Sequence, residues 1–415
     1  MNVTIKPSTL SGVISAPPSK SYAHRVLISA FLSGETVTVK NVGNSKDVQA
    51  TLGALASLGA KVEINENSVV ISRKVAKDGV TVNCGESGST LRFLLPVACG
   101  LGIKASFTGE GRLLERPIKE LIETLNQNGA EITDLTVGGK LTAGEYRIPA
   151  NISSQYLTGL MLSLPLLNGD SKIILVGPSV STGYLDITLD VLKAFGIVIK
   201  KTVYGYEVPG NQKYVSTNTV TIEGDYSGAA FMLSAGAICG SVTVNGLKAD
   251  SKQGDAEIVE VLKKFGADVT VTENSVTVKK AQLNAINLDC ENIPDLVQVI
   301  SVVASFANKV TVLKNVDRLR LKESDRISAI INQLQRAGIK CVYIDGNLYV
   351  YGGKPIGAEF SGGADHRTVM SASILSIGCK GESRVIGAEP VSKSYTTFFE
   401  DLRSLGGKCN VCLEG

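Results

Sequence analysis

The stretches LASLGAKVEI (55–64), LNQNGAEITD (125–134), LKAFGIVIKK (192–201), LKKFGADVTV (262–271), LQRAGIKCVY (334–343) and LRSLGGKCNV (402–411) repeat one phrase: an apolar helix end, a glycine, then a strand. The marker glycines are Gly59, Gly129, Gly196, Gly266, Gly338 and Gly406, with spacings of 70, 67, 70, 72 and 68. A fixed period of this size marks a repeated supersecondary unit. Each glycine suits the position just after a helix, where a positive φ carries no steric penalty for it. Hairpin signals follow several of them, NENS at 65–68, YGY at 204–206, TENS at 272–275 and DGN at 345–347, so every unit mixes helices with strands.

Six α/β units are too many for one core, and the expectation is two domains of three units each. The crossings fall in SGVISAPPSKS (11–21), where Pro17 and Pro18 break regular structure, and in IEGDYSG (222–228). A cleft between the domains is the expected ligand site.

The chain has 415 residues, with 42 Lys and Arg against 39 Asp and Glu, a net charge of +3. Nucleic-acid and membrane-surface binders are far more basic, which argues against both partners. No apolar run reaches the roughly 18 residues a spanning helix needs, and the start MNVTIKPSTL has no leader pattern, so the expected location is the cytoplasm. With two His and a single Cys-x-x-Cys pair, Cys409 and Cys412, no metal is expected.

Several helix starts carry cations. PPSKSYAHRVLISAFLSG (17–34) offers Ser19 as a cap, then Lys20, Ser21 and Arg25, with Ser21 and Arg25 on one face. Exposed amides beside Lys and Arg would attract phosphate or carboxylate, although taken alone a solvated basic face explains the stretch better. It lacks the glycine that a nucleotide-binding P-loop places before the Lys. NCGESGSTLRFLLPVACG (83–100) lets a ligand approach the backbone at Gly85 and Gly88, ahead of Arg92. In TGEGRLLERPIKELIETL (108–125), Arg116 precedes Pro117, which suits the first residue of a helix.

ISSQYLTGLMLSLPLL (152–167) sets Ser153, Ser154 and Gln155 before a helix whose Leu157, Leu160, Met161 and Leu164 form a buried stripe. DRLRLKESDRISAIINQL (317–334) packs Arg318, Arg320, Lys322, Glu323, Asp325 and Arg326 against the stripe of Ile327, Ile330, Ile331 and Leu334. A surface charge run is its ordinary explanation. GGADHRTVMSASIL (362–375) starts a helix at Asp365 with His366 and Arg367, and EPVSKSYTTFF (389–399) offers Lys393. Asp295, after Pro294 at the start of an apolar helix, reads either as an N-cap or as a carboxylate that takes a proton from a hydroxyl. Together these residues suit small polyanionic substrates, because Arg grips carboxylate and phosphate through two parallel bonds, each charge-assisted bond contributing about 1.5–3 kcal/mol. Asp295 and Glu323 are the candidate acid and base.

In combination, SKSYAHR, ESGSTLRF, GRLLERPI, SSQYLTGL, RLKESDRI, DHR and VSKSY resemble the 5-enolpyruvylshikimate-3-phosphate synthases, from about residue 4 to residue 405 and with the motifs in order. The resemblance implies an α/β fold of two domains, each an inside-out α/β barrel of three βαβαββ repeats, the enolpyruvyl transferase fold. One domain would be 14–222 and the other discontinuous, 1–13 with 223–415.

It also implies transfer of the enolpyruvyl group of phosphoenolpyruvate to the 5-hydroxyl of shikimate 3-phosphate, in the shikimate pathway to chorismate and the aromatic amino acids, by a cytoplasmic monomer without metal or organic cofactor. By the same resemblance, Ser21, Arg25, Ser153, Ser154, Gln155, Ser181, Tyr184 and Lys322 would hold shikimate 3-phosphate. Lys20, Gly88, Arg116, Arg326, Arg367 and Lys393 would hold phosphoenolpyruvate, with Gln155 touching both and Lys20 serving the chemistry as well. Asp295 would accept the proton of the 5-hydroxyl and Glu323 would donate one to C3. Three positions depart from the common pattern: Glu86 replaces Asn, Phe93 replaces Pro, and Arg318 stands where some relatives use Asn. A carboxylate beside a phosphate is unfavourable, so the Glu86 side chain is expected to turn away from the ligand or to pair with a cation.

Two alternatives are weighed. UDP-N-acetylglucosamine 1-carboxyvinyltransferase shares the repeat but carries Cys at the position of Gly111 and lacks the Ser-Lys-Ser start. A non-catalytic anion-binding protein on the same fold would not need both carboxylates.

Overall fold

The computed structural model describes residues 1–73, 78–149, 153–177, 183–216 and 218–412. The chain forms two units, Pro18–Ile222 and Met1–Pro17 joined with the chain from Glu223 onward. All six marker glycines have positive φ, between 75° and 105°, which is the backbone state that lets a helix end and a strand begin within one residue.

The described residues form six four-stranded sheets, three in each unit. The pattern is clearest where Val80–Asn83 runs parallel to Ala105–Thr108 across the helix Gly88–Leu101. Ala105–Thr108 then pairs antiparallel with Thr136–Gly139, which makes a hairpin with Ala130–Thr133. This βαβαββ order recurs in every sheet, but in three of them one strand comes from a distant part of the chain. Thr219–Thr221, at the end of its unit, pairs parallel with Val37–Lys40. In the other unit, Leu10–Ser15 lies parallel to Gly240–Asn245. There Asn2–Lys6 also fits between Ser383–Ile386 and Lys408–Cys412. These borrowed strands close each unit on itself and make the second one discontinuous.

The sheets lie outside and the helices fill the centre. In one unit Lys20–Ser33, Gly88–Leu101 and Ser154–Ser163 are buried on nearly every face. In the other the same holds for Tyr226–Cys239, Val297–Ser305 and His366–Gly378. The sequence permits this because Tyr226–Cys239 carries no charge and is rich in Gly and Ala, so neighbours approach from all sides. The stripe read in Leu157, Leu160, Met161 and Leu164 is buried, but so are Tyr156, Thr158 and Leu162 beside it, because that helix is central rather than peripheral. Arg326–Arg336 is a true one-sided helix, burying Ile327, Ile330 and Leu334 while Ile331 is only partly covered.

One contact shows how tightly the central helices meet. Pro96 lies inside Gly88–Leu101 and has no N–H to give the Arg92 carbonyl. Gly159 of the neighbouring helix packs on that carbonyl with no room for a Cβ, and Ser163 Oγ donates to the Pro96 carbonyl at 2.7 Å. No helix among the described residues is long and apolar enough to cross a membrane.

Candidate active site

In the unit Pro18–Ile222 the cations gather at the starts of the central helices. Ser19 caps Lys20–Ser33 by accepting the Tyr22 N–H, which leaves Lys20 in the first turn, where its Nζ donates to Asp47 Oδ2 at 2.7 Å. Sequence reasoning missed Asp47; its signal is the spacing, since Asp47 and Thr51 are four apart on Lys46–Ser57 just as Lys20 and His24 are on their helix. Arg25 is buried and held on several sides. Its Nε donates to Thr188 Oγ1 at 2.8 Å, Nη1 to the Ser21 carbonyl at 2.7 Å, and Nη2 to the Tyr184 carbonyl at 3.1 Å and to Thr158 Oγ1 at 3.2 Å. Burial lowers its pKa to about 10, still leaving it charged at neutral pH. Ser21 and Tyr184 therefore meet Arg25 through their backbone carbonyls.

Gly88 opens the next central helix, capped by Ser87, whose Oγ accepts the Thr90 N–H at 3.2 Å. A Cβ on Gly88 would stand 2.6 Å from Arg92 Nη1 and 2.9 Å from Arg116 Nη1, so the missing side chain is what lets two guanidiniums approach the helix start. Arg92 ties the neighbourhood together. Its Nη2 donates to the Pro117 carbonyl at 2.6 Å and its Nη1 to Gln155 Oε1 at 3.4 Å. Gln155 Nε2 in turn donates to Ser89 Oγ at 3.0 Å. Ser153 caps Ser154–Ser163 by accepting the Gln155 N–H, and Ser154 is buried beside it. Pro117 does not begin a helix, contrary to expectation. The helix runs Lys119–Asn126, and the Pro117 carbonyl serves Arg92 instead.

Glu86 folds onto Gly111, where a Cβ would stand 2.5 Å from its Oε1. Phe93 is buried with its ring under Arg25, 4.9 Å from Cζ to the centroid, and edge-on to His24. Ser181 lies outside the described residues.

In the other unit one guanidinium organises the carboxylates. Arg326 is 1% exposed; it donates to Asp295 Oδ1 at 2.7 Å, Glu323 Oε2 at 2.7 Å and Asp365 Oδ2 at 2.8 Å. Burial works against its charge, but Asp365, Glu323 and Asp295 outweigh that and leave its pKa raised. Burial likewise opposes ionisation of Asp365, yet Arg326 and then His366 hold its pKa below the ordinary carboxylate value. Asp295 also meets Lys322 Nζ at 3.3 Å and Arg367 Nη2 at 3.6 Å. For Lys322, burial lowers the pKa and Asp295 opposes the shift.

Asp295 is not a helix cap: Val297–Ser305 begins after Leu296 without a side-chain cap bond, because the Asp295 carboxylate is taken up by cations. The charge run 318–326 is only partly a solvated face: Arg320 and Asp325 pair near the surface, while Arg326 is buried. Asp365 has two functions, capping His366–Gly378 through the Arg367 N–H at 2.9 Å and pairing with Arg326. Arg367 Nη1 reaches the Asp295 carbonyl at 3.0 Å and its Nη2 reaches Ser227 Oγ at 2.6 Å, so the starts of all three central helices of this unit meet there. Helix starts brought together add their positive dipole ends to these cations, which favours anions. Lys393 Nζ donates to the Ala364 carbonyl at 3.0 Å. Arg318 lies in the short turn Asp317–Leu321 just before Lys322. Cys409 is buried and Cys412 exposed, both as free thiols.

Comparison with known proteins gives a consistent picture. The family model described as EPSP synthase (3-phosphoshikimate 1-carboxyvinyltransferase) matches residues 5–402. A 3-phosphoshikimate 1-carboxyvinyltransferase of Clostridium kluyveri is 39% identical over 98% of this chain and 97% of its own. One from Clostridioides difficile is 38% identical over 98% of both. Among solved structures, EPSP synthase from Acinetobacter baumannii superposes with a TM-score of 0.84 at 24% identity, covering 99% of this chain and all of that one. The enolpyruvyl transferase NikO from Streptomyces tendae gives 0.80 at 16%, covering all of this chain and 99% of its own. At such identities the last two speak for the fold alone.

Proposed function

The chain belongs to the EPSP synthase family, and on that premise we propose that it transfers the enolpyruvyl group of phosphoenolpyruvate to the 5-hydroxyl of shikimate 3-phosphate. The observation that carries this reading is the pair of carboxylates, Asp295 and Glu323, held on one buried guanidinium, that of Arg326. One carboxylate that accepts a proton and one that donates it is what an addition followed by an elimination requires.

In the first step the 5-hydroxyl attacks C2 of phosphoenolpyruvate. Asp295 takes the hydroxyl proton and Glu323 delivers a proton to C3, which becomes a methyl group in a tetrahedral ketal phosphate. In the second step the methyl group returns a proton, the C2–O bond to phosphate breaks, and the enol ether and inorganic phosphate leave. By the resemblance, Lys20, Gly88, Arg116, Arg326, Arg367 and Lys393 are assigned to phosphoenolpyruvate, and Ser21, Arg25, Ser153, Ser154, Gln155, Tyr184 and Lys322 to shikimate 3-phosphate. Opposing so much negative charge with fixed cations offsets the repulsion between the substrates and holds them in reacting geometry. Four of the five N–H groups of Arg326 are already engaged among the described residues, so its main contribution is to fix the two carboxylates, with one Nη1 hydrogen left for a ligand. The reading extends to a monomer that works in the cytoplasm without metal or organic cofactor.

Release of phosphate by purified protein tests this. Release with shikimate 3-phosphate and phosphoenolpyruvate together, and with neither alone, is the expected result. Release with UDP-N-acetylglucosamine in place of shikimate 3-phosphate would support the other enolpyruvyl transfer, and no release with either acceptor would leave only an anion-binding protein.

A further inference from the structure

Beneath the Lys20–Asp47 ion pair, a buried chain of hydrogen bonds links the same two helices to the start of a third. His24 Nδ1 is 2.7 Å from Thr51 Oγ1, Thr51 Oγ1 is 2.6 Å from Thr90 Oγ1, and the Thr90 hydroxyl donates to Ser87 Oγ at 2.8 Å. All four side chains are at most 1% exposed. His24 lies one helical turn after Lys20, and Thr51 one turn after Asp47. Ser87 is the cap whose next residue, Gly88, is assigned to phosphoenolpyruvate.

The direction of the chain follows from the number of hydrogens. A hydroxyl has one to give, and Thr90 gives its own to Ser87. Thr90 must then accept from Thr51, and Thr51 must accept from His24. Nδ1 of His24 therefore carries a proton, and the neutral ring has its bare lone pair at Nε2. This agrees with Nε2 being buried without a hydrogen-bond partner among the described residues, where an N–H would be left without an acceptor. Burial holds the His24 pKa down at about 3, with Asp47 opposing and Lys20 and Arg25 assisting, so the proton pattern stays constant across neutral pH. The Phe93 ring, edge-on to His24, covers the same histidine from the helix that Ser87 caps.

We propose that His24 is a positioning residue for phosphoenolpyruvate: through Thr51 and Thr90 it fixes the Ser87 cap, and with it the orientation of the Gly88 amide relative to Lys20. The inference rests on the assignment of Gly88 and Lys20 to phosphoenolpyruvate made above. It explains why a histidine, a poor residue for an apolar core, occupies that place, and it gives the departure at Phe93 a physical function.

The test is a set of variants assayed for both substrates. Thr51→Val keeps the shape but cuts the chain, and Thr51→Ser restores it. His24→Asn keeps a neutral N–H donor near the position of Nδ1. The expected result is a rise of tenfold or more in KM for phosphoenolpyruvate in Thr51→Val, with calorimetric binding of shikimate 3-phosphate changed less than twofold and recovery in Thr51→Ser and His24→Asn. A lowered melting temperature with KM unchanged would reduce the chain to a structural role and overturn the proposal. Equal weakening of both substrates would do the same. If the parent protein itself releases no phosphate from the two substrates, the proposed reaction fails and the positioning with it, whereas parent turnover with an unchanged KM for phosphoenolpyruvate in Thr51→Val overturns the positioning alone.

Discussion

The ammonium of Lys322 lies 3.3 Å from Asp295 Oδ1, so the carboxylate assigned to take the proton holds in its charged form a lysine that burial alone pushes towards neutrality. Replacing Asp295 by Asn removes both the base and this support. The expected outcome is a loss of about 10²–10⁴ in kcat, together with titration of Lys322 at lower pH than in the parent, read from the chemical shift of 13C-labelled lysine. A kcat within tenfold of the parent would remove Asp295 from the proton transfer.

Arg326 balances three carboxylates while almost fully buried. Arg326→Gln removes the one cation those three carboxylates share, and breaking a buried ion pair from one side costs about 3–5 kcal/mol. Urea unfolding should show that loss, with Arg326→Lys falling between Gln and the parent because a point charge cannot serve three directions at once. A cost below about 1 kcal/mol for the Gln variant would mean that the carboxylates relax apart.

Gly111 has a φ of 55° and lies under Glu86. Gly111→Ala should lose about 1–2 kcal/mol from the backbone conformation, and more from the contact with Oε1. Glu86→Ala in the same chain should recover the contact part only. A coupling energy of about 0.5–3 kcal/mol in the double-mutant cycle would confirm that the two positions depend on each other, whereas additive effects would show that the glutamate simply swings aside.

His24 makes stability depend on pH in a definite direction. Its pKa is about 3 when folded against 6.5 ordinarily, so between those values the unfolded chain binds more protons, and stability falls as pH falls below 6.5. From this residue alone, moving from pH 7 to pH 5 should cost about 2 kcal/mol. Asp255 acts oppositely: burial, with Asp295 adding to it, raises its pKa to about 6, which favours the folded state at low pH. The comparison of parent with His24→Asn cancels that contribution, and the Asn variant should show the shallower acid slope in denaturant titrations. Equal slopes would place His24 in contact with water.

The six-unit organisation was legible because a helix end followed by glycine and a strand is a local signal, set by backbone sterics within about ten residues. The cap at Ser19 was legible for the same reason, since its side chain bonds an amide three residues away. Arg326 was not. A run of alternating charges reads as solvated because nothing local shows that Asp295 and Asp365, 31 and 39 residues distant, will meet it. Nor did the sequence show Pro117 giving its carbonyl to Arg92, a bond across 25 residues that displaces the helix start.

The repeat, the mixed α/β character and the positions of the cations at helix starts are thus consequences of short-range periodicity and capping, and are readable from the residues alone. Which strands close each unit depends on long-range packing, with Asn2–Lys6, Leu10–Ser15 and Thr219–Thr221 completing sheets whose other strands lie far along the chain. Only the tertiary structure turned scattered charges into one buried cluster around Arg326. The physical reason is the same in both cases. Strand pairing and ion pairing are satisfied by whatever partner the packing brings within reach, and for these residues the partner lies too far along the chain for any local rule to name it.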